Sequence, residues 1–294
     1  MQKYKLVVDS SCDLPLELYS KYNIGVTDLI VHFNEREYVD RKEITSSEII
    51  KKYKDTGIFP KTSALNIPEI ESMINEELKN CEHLFYMPIS SKISSIYNNA
   101  RLAILDLNVS DKVTLLDSSS LSSGIALEAL GICEDFNMDL SVEEIVKNHE
   151  ERKEKIAMQF VIQTMDFLHK GGRCSGLTNF FGNAFSIHPI VRLEDGKMSV
   201  HNLVRGKDLS KGLAKMLEEF KENLKNCNID FNYPIMIPHV TGEYGVEKIE
   251  HELKELVGDK ILLPVEASGI ICCHCGENTV GLAYMLKNNL DIKK

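Results

Sequence analysis

"KYKLVVDSSCDLP", residues 3–15, sets the fold class. Lys3–Asp9 is a short apolar run, and the next residues are turn formers: two serines, a cysteine, an aspartate and a proline. A strand this short and apolar, stopped so abruptly, suits the interior of a parallel sheet covered on both faces. The same pattern returns downstream in "NIGVTDLIVHF" (23–33), "HLFYMPI" (83–89) and "KVTLLD" (112–117). Helices are expected between these runs. Thr45-Ser46-Ser47-Glu48 is a capping box, Asn66-Ile67-Pro68-Glu69 starts a helix with its proline where a missing N–H matters little, and Ser141-Val142-Glu143-Glu144 opens a third. Strands alternating with helices predict βαβ units.

Near residue 155 the pattern restarts. The charged "HEERKEK" (149–155) ends a helix, and "IAMQFVI" (156–162) begins a new strand. "IHPIVRLEDGKMSVHNLVRG" (187–206) reads as a hairpin turning at Asp195-Gly196. "LSKGLAKMLEEFKENLK" (209–225) is an amphipathic helix. "YPIMIPHV" (233–240), "KILLPVEA" (260–267) and "GIICCHC" (269–275) read as further strands. The expectation is two α/β domains in contact, residues 1–155 and 156–294.

With 44 acidic against 34 basic residues, the net charge of −10 argues against general nucleic-acid binding, which needs a basic footprint. No apolar run approaches the ~18 residues of a membrane span. The start, Met1-Gln2-Lys3-Tyr4-Lys5, lacks the apolar core and cleavage site of a signal peptide. A cytoplasmic protein with at most transient membrane contact is expected. The eight cysteines are scattered and read as free thiols. In "CCHCG" (272–276) the spacing is poor for zinc, which prefers gaps such as C-x2-C. No metal or cofactor is expected.

Four hydroxyl-rich loops stand out: "DSSCDLP" (9–15), "SSKISSIYNNA" (90–100) and "SSSLSSG" (118–124), each ending an apolar run, and "FPKTSALN" (59–66) after the first capped helix. Ligands of open α/β sheets bind beyond the carboxyl ends of the strands, so these loops should gather on one edge and there hold an anionic head. Taken singly, each set of serines reads as N-caps. His83, His149, His169 and His251 fall in polar or helical contexts and are expected at the surface. His274 differs: it ends an apolar run, and its imidazole can donate to a carboxylate or phosphate. In "LHKGGRCSG" (168–176), Gly171 and Gly172 let the backbone turn and leave Arg173 accessible for an anion or a partner, against the plainer reading of a salt bridge. Arg205-Gly206-Lys207 repeats the basic-plus-glycine pattern. No nucleophile elbow, phosphate loop or dinucleotide fingerprint is present.

Together these motifs resemble the DegV family of bacterial fatty-acid-binding proteins, which includes the fatty-acid-binding subunits of the fatty acid kinase system. "VVDSSCDLP" is similar to the family's opening strand and loop. "FPKTSALN", "ISSKISSIYNNA", "LHKGGRCSG", "PIVRLEDGKM", "LVRGKD" and "CCHCGENTVG" match its later motifs, end to end along the chain. The resemblance implies a two-domain DegV-like α/β fold: an N-terminal, mostly parallel sheet with flanking helices, a C-terminal α/β domain, and a lipid tunnel between them. It implies a carrier of one long-chain fatty acid, not an enzyme. Thr62, Ser94 and His274, with Ser63 and Ser95 beside them, would hold the carboxylate. Arg173, Arg205 and Lys207 would face a partner kinase that converts the bound acid to an acyl phosphate. A ~16-carbon tail offers roughly 10 kcal/mol of burial before ordering costs.

The departures from the family pattern are Leu65-Asn66, Ser95, Ile96, Glu277 and Asn278. Glu277 is expected at a helix start, placing negative charge near the carboxylate. Two other readings stand beside it: a hydrolase or phosphotransferase using Ser94 or Cys174, and a redox or metal sensor built on Cys272, Cys273 and Cys275.

Overall fold

A computed structural model describes residues 1–175 and 187–289. The first part of the chain runs β1 (Gln2–Asp9), α1 (Leu16–Lys21), β2 (Gly25–Thr27), β3 (Ile30–Phe33), β4 (Arg36–Val39), α2 (Ser46–Thr56), β5 (Lys61–Ser63), α3 (Ile67–Glu77), β6 (Cys81–Met87), α4 (Ile96–Asp106), β7 (Val113–Leu115), α5 (Ser123–Asn137) and α6 (Val142–Lys153). It continues through β8 (Ile156–Val161), α7 (Asp166–Gly171), β9 (Cys174–Ser175), β10 (Ile187–Glu194), β11 (Lys197–Arg205), α8 (Ser210–Lys225), β12 (Ile235–Val240), α9 (Glu243–Val257), β13 (Leu262–Glu266), α10 (Gly269–Cys275) and β14 (Thr279–Met285).

The sequence signals for helix starts hold at atomic detail. Thr45, Asn66 and Ser141 each accept from the N–H of the glutamate three residues on, and each glutamate returns a bond to the cap backbone. β1, β2, β6 and β7 form a four-stranded sheet, β2-β1-β6-β7, with every pairing parallel. The later strands form a seven-stranded mixed sheet, β13-β12-β14-β8-β10-β11-β9. Within it the hairpin turning at Asp195-Gly196 pairs β10 with β11.

Two strand readings change. Residues 23–33 are not one strand. They break at Asp28-Leu29, where the Ser10 hydroxyl takes the Leu29 N–H, and β3 joins a separate antiparallel sheet, β4-β3-β5. Residues 269–275 are helix α10, not a strand. A short apolar run fits either a buried strand or a buried helix. Here Ser268 caps the helix by accepting from Ile271 N, and two distant carboxylates take the Ser268 and Gly269 N–H groups.

One apolar cluster joins the two large sheets. It takes Leu6, Val8 and Phe85 from the first and Met158, Met236 and Ala283 from the second. Alternate residues of the same later strands, Ile235, Ile237 and Leu282, face away into a second cluster with Leu213, Phe220 and Ile249 of α8 and α9. The seven-stranded sheet is thus covered on both faces. One face meets the first half of the chain, and the functional cavity opens there.

Candidate functional site

A cavity of about 230 Å³ lies between the halves. Its polar rim brings together Thr62, Ser63, Ser94, Ser95, Arg173 and His274, and its walls include Leu29, Ile89, Leu121, Met198 and Ile271. Three of the four hydroxyl-rich loops line it. The loop after β7 contributes Leu121 rather than a hydroxyl. The loop after β1 stays outside, because its polar groups serve buried carboxylates: Ser11 bonds Asp9, Ser10 bonds Asp40, and Asp13 receives Arg41 and Ser122. A narrower apolar space of about 10 Å³ shares Leu121, Ile271 and Cys275 with the cavity and continues toward Phe160 and Gly281. Those shared side chains place the two spaces next to each other.

Thr62 and His274 form the centre of the rim. Strand alternation turns Thr62 of β5 inward, and its Oγ1 lies 3.0 Å from His274 Nε2 on α10. Burial, reinforced by the positive charge of Arg173, pushes the imidazole down to about 4, so it is neutral near pH 7. Its Nδ1 is buried without a hydrogen-bond partner among the described residues. A bare acceptor costs less there than an unsatisfied N–H, which favours the Nε2–H tautomer. His274 then donates to Thr62, and the Thr62 O–H is left to donate into the cavity.

The adjoining serines differ in what they can offer. Ser63 borders the cavity, but its hydroxyl bonds His32 Nε2 at 2.8 Å. Ser94 Oγ accepts a long bond from Ile96 N at 3.3 Å, which leaves its proton available. Ser95 is the N-cap of α4 without a side-chain cap bond, so the N-terminus of this helix faces the cavity with partial positive charge. Ile96, the departure beside it, is wholly buried in the core.

The stretch containing Arg173 is shaped by its glycines. Gly172 takes a left-handed conformation, φ 65°, at the end of α7. Gly171 lies against the imidazole: a Cβ there would sit 2.5 Å from His274 Nδ1. Arg173 reaches back to donate from Nη1 to the Gly171 carbonyl at 2.7 Å and leaves its charge at the rim. Arg205 and Lys207 do not join it. They are exposed at the far end of β11, about 23 Å along the strand from Met198 at the cavity, at about 3.3 Å per residue.

Other expectations are corrected. Glu277 is not at a helix start. It follows Gly276, the C-cap of α10, and pairs with Lys54. Asn278 adopts φ 57°, a left-handed conformation that asparagine tolerates. His149 is wholly buried, its two ring nitrogens bonded to Glu128 Oε1 and the Asp117 carbonyl. Its helical context gave no sign of this, because the partners lie 21 and 32 residues away. Cys272, Cys273 and Cys275 are buried, and burial raises the thiols of the first two. Among the described residues no group of three or more histidine, cysteine or acidic side chains could hold a metal. Among the described residues, the hydrogen bond on Ser94 Oγ comes from the Ile96 N–H and not from a base. The side chain of Cys174 lies outside the described residues; its backbone forms part of β9. No helix among the described residues is long and apolar enough to cross a membrane.

The family model described as "Uncharacterised protein, DegV family" matches residues 3–287. A DegV domain-containing protein of Clostridium acetobutylicum is 32% identical over 206 residues, covering 70% of this chain and 74% of that protein. A fatty acid-binding protein of Thermotoga maritima is 29% identical over 291 residues, covering 95% and 96%. Among solved structures, one describing fatty acid binding by a DegV family protein of Thermus thermophilus superposes with a TM-score of 0.86 at 26% identity, over 97% of this chain and 100% of that one. With one family matched along nearly its whole length, and an α/β fold shared with it, this chain belongs to the DegV family.

Proposed function

We propose that the protein binds one long-chain fatty acid, with the tail in the apolar interior and the carboxylate at the Thr62–His274 end. It then presents that carboxylate to a partner fatty acid kinase. The observation carrying this reading is the pairing of Thr62 with a neutral His274 at the rim of a mostly apolar cavity. The head would accept from Thr62, from Ser94 and from N–H groups of the first turn of α4 beyond Ile96, while Arg173 balances its charge. The tail would pass Leu121 and Ile271 toward the narrower space beyond. The fatty acid binding described for the relatives from Thermotoga maritima and Thermus thermophilus supports the same reading.

The partner brings ATP. The terminal P–O bond to ADP breaks, and a new P–O bond forms on the carboxylate oxygen. The carrier needs no nucleophile for this; it orients the head and keeps the tail from water. Dependence on ATP places the protein in the cytoplasm. Arg173 stands where charge develops during transfer and serves the partner more than the lipid, with Arg205 and Lys207 in a separate, outlying contact.

Native mass spectrometry of the purified protein tests the binding: a co-purified mass of fatty-acid size is expected. A ligand-free protein that hydrolyses esters unaided would sink the carrier reading. Arg173→Ala tests the presentation. It should weaken palmitate only a few-fold, because the guanidinium is exposed, yet abolish acyl phosphate formation with kinase and ATP. Equal loss of both would place Arg173 in lipid binding alone.

A further inference from the structure

Helix α10 carries His274, and its start is fixed by more than its own Ser268 cap. Two acidic side chains more than 220 residues upstream also hold it. Asp13 Oδ1 accepts from Ser268 N at 2.9 Å, and Asp40 Oδ1 accepts from Gly269 N at 2.8 Å. Both carboxylates are wholly buried. Each is itself held. Asp40 receives the Ser10 hydroxyl at 2.7 Å, and Asp13 receives Arg41 and the Ser122 hydroxyl. The fit is close: a Cβ on Gly269 would lie 2.7 Å from Asp40 Oδ1. Ser46 adds a bond to the Ala267 carbonyl, one residue before the cap.

We propose that Asp40, together with Asp13, is a positioning residue for the ligand head: by gripping consecutive backbone N–H groups at the start of α10, it sets the register in which His274 meets Thr62. Asp40 does not line the cavity and touches the ligand only through the helix. A helix rises about 1.5 Å and turns about 100° per residue, so even a one-residue slip at Gly269 would carry the imidazole away from Thr62 Oγ1. Gly171 closes the other side of the ring, leaving the imidazole one seat. The inference rests on the fatty-acid reading for its consequence, but not for its geometry.

The test compares wild type with Asp40→Ala and Asp40→Asn on two readouts. One is palmitate affinity; the other is the titration of His274, followed by NMR in ligand-free protein. Asp40→Ala is expected to weaken palmitate roughly tenfold and to move the His274 titration up by about one pH unit, as the helix start loosens and the ring gains water. Asp40→Asn keeps an oxygen for the Gly269 N–H and should return both readouts close to wild type. Asp40→Ser is the second truncation, expected to act as alanine does, and serves if the alanine variant does not fold. A truncation that lowers Tm while leaving both readouts at their wild-type values overturns the proposal, since that is how a merely structural carboxylate behaves. Failure of the wild type to bind palmitate would reject the fatty-acid reading alone, because the His274 titration decides the positioning role without ligand.

Discussion

His274 concentrates the chemistry of the site into one ring. The unfolded chain begins to protonate this residue near its ordinary value of 6.5, whereas the folded protein resists until about 4. Between those limits the unfolded state binds more protons, so stability falls as pH drops from 6.5 toward 4 and levels off below. The loss from this residue is at most about 3 kcal/mol. Denaturant unfolding at pH 7 and pH 4.5 should therefore show a shallower pH dependence for His274→Gln than for wild type. Parallel slopes would mean the imidazole is not held neutral. From sequence, His274 stood apart because it ends an apolar run before a glycine. Its bond to Thr62 was not legible, since the two residues are 212 positions apart. His149 shows the converse: a polar helical setting suggested the surface, but Glu128 and the Asp117 carbonyl draw it wholly inside.

Elements were legible in proportion to how local their causes are. The helix starts at Thr45, Asn66 and Ser141 rest on residues three apart, and all three stand in the structure. Residues 269–275 misled because a short apolar run fits strand or helix, and beyond the local Ser268 cap the helix is held by the distant Asp13 and Asp40. The short helix α7 carries a related device. Gly171→Ala would place a methyl 2.5 Å from His274 Nδ1. The substitution should weaken palmitate roughly tenfold by displacing the ring. Stability should change little, because alanine favours a helix over glycine by about 1 kcal/mol and offsets part of the crowding. Isothermal titration with thermal unfolding checks both; unchanged affinity would show that the ring has room to move. Glu277 belongs at this scale too. Paired with Lys54 after the end of α10, it has no helix start from which to repel a carboxylate.

Across the whole molecule the cavity is a seam. Thr62, Ser94 and Leu121 come from the first half of the chain, and Arg173, Met198 and His274 from the second. A ligand filling the seam binds only the folded arrangement, so palmitate at a hundred times its Kd should add about 2.7 kcal/mol of stability. Differential scanning calorimetry should then show Tm rising by about 4 °C. No rise with saturating palmitate would mean the tail is not buried between the halves. The alternation of apolar runs with capped helices was enough to specify an α/β chain, and the ordered set of loop motifs was enough to indicate its family, because both depend on neighbours along the backbone. Packing settled the rest. It brought Thr62 to His274, kept Arg205 a strand's length from Arg173 and turned 269–275 into a helix. Those outcomes depend on groups far apart in sequence, brought together by apolar burial and fixed by buried carboxylates that must find N–H partners once water is gone.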